Sequence, residues 1–178
     1  MKDKYWALLG VAGPLVAFIF IGISIALVPW FSWWNNALSD LGNAVHSTSA
    51  PYFNFGLLLA GFLIAVFTTT VFWKHAKYTS SFLMITAFAL QLVAVFDEVY
   101  GQLHKTVSVI LFIFLILSCI FYAIEKRSIL GILSFVIGLG VWILFEGRIF
   151  KVGIAVPEII SVIVASSWVI ISALKIYY

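Results

Sequence analysis

The sequence predicts an all-α protein, an integral membrane bundle of six transmembrane helices with both termini in the cytoplasm. Three observations predict it. Hydrophobic residues make up 64% of the chain and charged residues only 10%, whereas a soluble domain uses roughly 25% charged residues to cover its surface. Six apolar segments, divided by short polar breaks, each approach the roughly 20 residues that a helix needs to cross the hydrocarbon of a bilayer. The basic residues divide unevenly between the two sides that these segments define, which sets the orientation. The 178 residues suit one domain, 1–178.

The first span is expected over Trp6–Pro29. Its opening, Met1-Lys-Asp-Lys before an apolar run, has the form of a signal peptide. The run is too long for a signal core, and no small-residue cleavage site follows, so it reads as a retained helix. Gly10 and Gly13 precede Pro14 there and suit close helix packing with a kink. The second span, Pro51–Trp73, follows the longest loop. The third is Ser80–Phe96, the fourth Lys105–Ile124, the fifth Ser128–Phe145 and the sixth Pro157–Leu174. Gly131, Gly138 and Gly140 in the fifth are further packing positions. Cys119 lies inside an apolar run, where a thiol is an inert filler.

Lys2, Lys4, Lys74, Lys77, Lys126, Arg127 and Lys175 fall on the side of the termini, and Lys105, Arg148 and Lys151 on the other. Seven against three places the termini in the cytoplasm of a cell membrane protein. Trp30, Trp33, Trp34 and Tyr52 mark the outer interface, and Tyr5, Trp6, Trp73, Tyr177 and Tyr178 the inner one. A net charge of +3, spread over short loops, argues against nucleic acid and for contact with membrane lipids.

The acids divide the other way. Asp3 and Glu125 lie on the inner side, and Asp40, Asp97, Glu98, Glu146 and Glu158 on the outer side, with His46 and His104. The helical rise puts Asp97 about 24 Å above Ser81 and Glu158 about 26 Å above Lys175, so groups from separate helices share one outer level. In the loop 30–50, Asn36 would cap a short interfacial helix that Gly42 ends, presenting Ser39 and Asp40. Asp97 and His104 flank one tight turn, and an Asp–His pair there would orient the imidazole for acid–base chemistry.

The segment Asn36-Ala-Leu-Ser-Asp-Leu-Gly42, with His104 at the fourth span and Glu146-Gly-Arg148 after the fifth, resembles a prokaryotic multi-pass membrane family catalogued as domain of unknown function 998. The resemblance covers nearly the whole chain. It implies a six-helix membrane fold and no established activity.

Two functional classes follow from the outer cluster. In the first, Ser39, Asp40, Asp97, Glu98, His104, Glu146 and Arg148 bind a lipid headgroup or a small anionic ligand. In the second, a membrane-embedded hydrolase acts on a lipid or phosphate ester, with Asp40, Asp97 and His104 as candidate catalytic groups and Arg148 holding an anion. The cluster is also open to a plainly structural account, in which outer helix ends are polar and Glu146, Arg148 and Asp40 form an ion-paired lid. No metal site is expected, since His46 and His104 are the two outer histidines and no pair at ligand spacing exists. No cofactor is expected either, because haem would need histidines within spans at matching depth. Proton-coupled transport is disfavoured because Gln91 is the strongest polar group inside a span. Glycine-bearing helix faces permit a homo-oligomer.

Overall fold

The structure, a computed structural model, describes residues 2–178, with side chains from Lys4 onward. The side chains of Lys2 and Asp3, assigned above to the terminal side, lie outside the described residues. A short helix α1 (Lys2–Trp6) leads into α2 (Leu9–Leu27), followed by α3 (Ala50–Thr70), α4 (Lys77–Val95), α5 (Gln102–Lys126), α6 (Ile129–Glu146) and α7 (Ala155–Tyr177). Among the described residues, six helices, α1 and α2 together counting as one, are long and apolar enough to cross a membrane. Their 18 to 25 residues correspond to roughly 27–38 Å of rise. α2 runs through Pro14, close enough to its start that the carbonyl the ring leaves unbonded lies in the first turns.

Each helix packs against the next in sequence, and α7 closes the bundle by returning to α2 and α5. Both termini therefore lie at one end. There the Tyr5 and Tyr177 rings meet edge to face at 6.4 Å, and the Lys4 ammonium sits 5.3 Å from the Tyr177 ring centre.

The interior divides into two apolar clusters. The one at the terminal end gathers Phe67, Phe72, Leu83, Tyr122 and Trp168. Trp168 is fully buried, stacks on Tyr122 at 4.5 Å and donates its indole N–H to Cys119 Sγ. Cys119 is therefore a packing residue with one weak hydrogen bond. Tyr122 receives the hydroxyl of Ser172 at 2.8 Å, so the polar tips of this aromatic stack are satisfied inside the bundle. The second cluster, towards the other end, packs Leu38 and Leu41 of the long loop against Phe53, Val93, Val107 and Ala155.

Glycine sets how closely α5 and α6 approach beside their connecting turn. A Cβ on Gly131 would stand 2.7 Å from Ala123 N and 2.8 Å from Ala123 Cα, so the helices touch backbone to backbone there. Packing buries 17% of the α6 span but 44% of α4, so α6 is a peripheral helix.

Candidate functional site

The loop after α2 is built by its own polar side chains. Asn36 accepts the Ser32 N–H through Oδ1 and donates its amide to Asp40 Oδ2 at 2.8 Å. Asp40 Oδ2 also accepts from Ala37 N at 3.0 Å, the acid half of a capping box. The result is a 3-10 turn over Leu38–Gly42. The expectation that Asn36 caps this element is corrected. Ala37 occupies the N-cap, and Asn36 instead tethers the acid one turn on. Ser49 and Asn54 then donate to the carbonyls of Leu41 and Gly42, tying the turn to α3.

The same loop is fastened to the start of α7. Gly153 N donates to Trp33 O and Ala155 N to Asn36 O. Within the first turn of α7, Glu158 Oε2 accepts from Leu38 N at 2.7 Å. Glu158 is 8% exposed. A buried carboxylate demands such partners, because an unpaired one is expensive to keep from water.

Asp97 and Gly101 shape the turn before α5. Asp97 accepts from Val99 N at 2.9 Å, and Gly101, at φ 55°, has the left-handed backbone that closes the turn Glu98–Tyr100 and opens α5. The expected Asp97–His104 pair does not form. His104 Nδ1 lies 2.8 Å from Phe96 O, so that nitrogen carries the proton, because a carbonyl only accepts. His104 Nε2 is thereby left as the acceptor, 3.4 Å from Ser108 Oγ one turn further along α5. His104 is buried, and a backbone carbonyl rather than a carboxylate orients it.

Glu98 completes the arrangement. It accepts from the Asn43 amide at 3.1 Å, and the Asp40 carboxyl lies beside it. Burial, and then the Asp40 carboxyl beside it, push the Glu98 pKa above the ordinary glutamate value of 4.5, and the Asn43 amide opposes the rise. A carboxyl with a raised folded-state pKa contributes stability that is fully present below the unfolded value and lost as pH rises through the folded one. The wild-type melting temperature minus that of a Glu98→Gln variant should therefore be largest near pH 4.5 and shrink towards neutrality. Thermal melts of the detergent-solubilised protein across that range check it, and a difference that grows with pH contradicts it.

These groups head a cleft of about 770 Å³ that follows the gap between α5 and α6. Ser39, Glu98, His104, Lys105, Glu146 and Glu158 surround the end of it that lies away from the termini. Below them the walls are apolar, with Val109, Phe112, Ile113 and Ile116 on α5 and Trp142 on α6. Trp142 spans part of the gap, 4.9 Å from the Phe112 ring and donating to Ser161 Oγ of α7.

Four residues singled out from sequence, Ser39, Glu98, His104 and Glu146, thus line one cleft. Asp40 stands behind them as a support for Asn36 and Ala37. Asp97 is a buried turn cap. Arg148 and His46 are exposed and do not line the cleft. Arg148 takes a left-handed backbone at φ 55° after α6. The ion-paired lid expected of Asp40, Glu146 and Arg148 is replaced by the contacts of Asp40 with Asn36 and Ala37. Glu158, Lys105 and Ser108 also line the cleft; the sequence placed Glu158 and Lys105 on this side without naming them as ligands, and did not single out Ser108. Among the described residues, no group of three His, Cys, Asp or Glu side chains is placed to hold a metal ion.

Six membrane-length helices, with a polar cluster at one end and an amphipathic cleft beneath it, define a multi-pass membrane protein. The chain belongs to the family described as protein of unknown function DUF998, whose profile matches residues 11–175. No curated protein and no solved structure is significantly similar to it.

Proposed function

We propose that this protein sits in the cell membrane with both termini in the cytoplasm and binds the headgroup of a lipid at the extracytoplasmic end of the cleft. One observation carries the reading. The cleft is polar at its outer end and apolar along the rest of its length, in the order that a lipid presents to it. From the start of α5 at Gln102, Ser108 lies about 9 Å and Ile116 about 21 Å deep by helical rise. A headgroup among Glu98, Glu146 and Glu158 leaves its chain running past Val109 and Ile113 to Ile116.

The charges select the headgroup. Three glutamates and one lysine line the polar end, which favours an ammonium or a hydroxyl-rich head over the anion that Arg148 was expected to hold. Native mass spectrometry of the purified chain tests this against lipids of equal chain length. An ethanolamine or glycosyl headgroup should be retained at least tenfold more than a fatty acid of the same chain. Equal retention of the two contradicts the reading.

The hydrolase reading is favoured by one specific contact, the 3.4 Å approach of Ser108 Oγ to the free Nε2 of His104. It lies at a depth suited to the ester bonds of a glycerolipid. Ser108 Oγ would attack the ester carbonyl carbon, His104 Nε2 would take its proton and return it to the leaving alcohol, and water would then release the fatty acid from serine. The same spectra test it. Loss of an acyl mass from a bound ester, abolished in Ser108→Ala with binding kept, supports hydrolysis. An intact ester after prolonged incubation leaves binding alone.

A further inference from the structure

A second cleft, of about 530 Å³, lies at the opposite end of the bundle, where the termini meet. The turn after α3, the ends of α5 and α7 and the start of α6 enclose it. Among the described residues its charged lining is wholly basic, with Lys126 and Arg127 from the end of α5 and Lys175 from the last turn of α7. His75 and Ser128 add polar atoms.

The neighbouring acid, Glu125, lies near enough to Lys126 to feel its charge but does not line the cleft. Glu125 is turned to the start of α4, where it accepts from Tyr78 N, Thr79 N and Thr79 Oγ1, the last at 2.7 Å. Lys126 gives one N–H to His75 O at 3.1 Å and keeps two further donors. The N-terminus of α6 opens into the same space, and its dipole adds to the attraction for an anion.

The rim is apolar. Ile129, Leu130 and Ile176 border the cleft, and Ile129 is 75% exposed on what is a membrane-spanning helix. A pocket with three cations and an apolar lip between helix ends suits a phosphate attached to a lipid.

We propose that this cleft binds a phosphate group, as the phosphodiester of an anionic phospholipid or as free phosphate, with Arg127 and Lys175 as its principal ligands. The site is separate from the outer cleft and stands whether or not that cleft binds a lipid. Arg127 offers a clean test. It caps α5 in the left-handed conformation at φ 47°, where glycine is at ease, so Arg127→Gly removes the guanidinium without straining the turn.

The full chain is purified in detergent and exposed to phosphatidylglycerol, phosphatidylcholine or inorganic phosphate. Native mass spectrometry reads retention and thermal melts read stability. Phosphatidylglycerol should be retained at least tenfold more than phosphatidylcholine. Arg127→Gly and Lys175→Gln should each cut that preference several-fold while melting near the wild-type temperature without lipid. A Val109→Trp substitution in the outer cleft should leave the preference intact. Stabilisation by phosphatidylglycerol and not by millimolar phosphate identifies a lipid ligand. Equal stabilisation by both identifies the phosphate group alone. Equal retention of the two lipids with no phosphate effect, or a preference unchanged in both basic-site variants, overturns the proposal.

Discussion

Gly153→Val is expected to be among the most damaging single substitutions in this chain, although Gly153 lies in a loop. A Cβ at this position would stand 2.6 Å from Asn36 O, 2.8 Å from Asn36 N and 2.9 Å from Trp33 O. All three are backbone atoms, so no side chain can rotate out of the way. The long loop must lift from the start of α7, breaking the bonds from Gly153 N to Trp33 O and from Ala155 N to Asn36 O. Overpacking of this kind costs about 1–3 kcal/mol, and each lost hydrogen bond adds about 1 kcal/mol. The displaced loop also carries Leu38 away from Glu158. Thermal melts should register a clear loss of stability, and limited proteolysis should cut between residues 30 and 42. A variant as stable and as resistant as the wild type would contradict this account of the loop.

Substitution of Glu158 separates charge from architecture. Glu158→Ala deletes the acceptor of Leu38 N and leaves a buried donor unpaired, which costs about 1–3 kcal/mol. It should both destabilise the protein and abolish headgroup binding. Glu158→Gln keeps an amide oxygen able to accept from Leu38 N, so stability should change little. It removes the carboxyl group from the cleft, and retention of an ammonium headgroup should fall at least tenfold at a pH where that carboxyl is ionised. Melting temperature and native mass spectrometry on both variants check the split. If Glu158→Gln binds like the wild type while Glu158→Ala does not, Glu158 only holds the loop.

The six spans were legible because lipid imposes a length and a polarity that few other arrangements share. The helices begin and end within a few residues of the expected bounds, and the last starts at Ala155 instead of Pro157 because Glu158 and Pro157 fit its first turn. Gly101 was readable as a break between Asp97 and His104, and it is one.

The site was less legible, for identifiable reasons. In sequence Glu158 reads as an acid at a helix start. It becomes a buried group only when Leu38, 120 residues away, docks on it. His104 was given the carboxylate that its neighbourhood offered, whereas its partner is the Phe96 carbonyl, and no residue type signals a free carbonyl. Arg148 was chosen for its guanidinium and its place in the Glu146-Gly-Arg148 motif, and its position just beyond the end of α6 leaves it in the open. The apolar half of the cleft could not be read at all. Val109, Ile113 and Ile116 have the composition of any lipid-facing flank, and only the packing of α5, α6 and the start of α7 makes them the wall of a cleft.

The central claim, that a lipid chain occupies the gap between α5 and α6 with its headgroup among the outer glutamates, is tested most directly by photo-crosslinking. An ethanolamine lipid carrying a diazirine halfway along its chain is equilibrated with the protein in bilayers and irradiated, and the labelled peptides are sequenced. The account predicts adducts concentrated on Val109–Ile116 and at Trp142, and largely lost in Val109→Trp. Labelling spread evenly over the lipid-facing residues of all six spans, and unchanged in Val109→Trp, would contradict it.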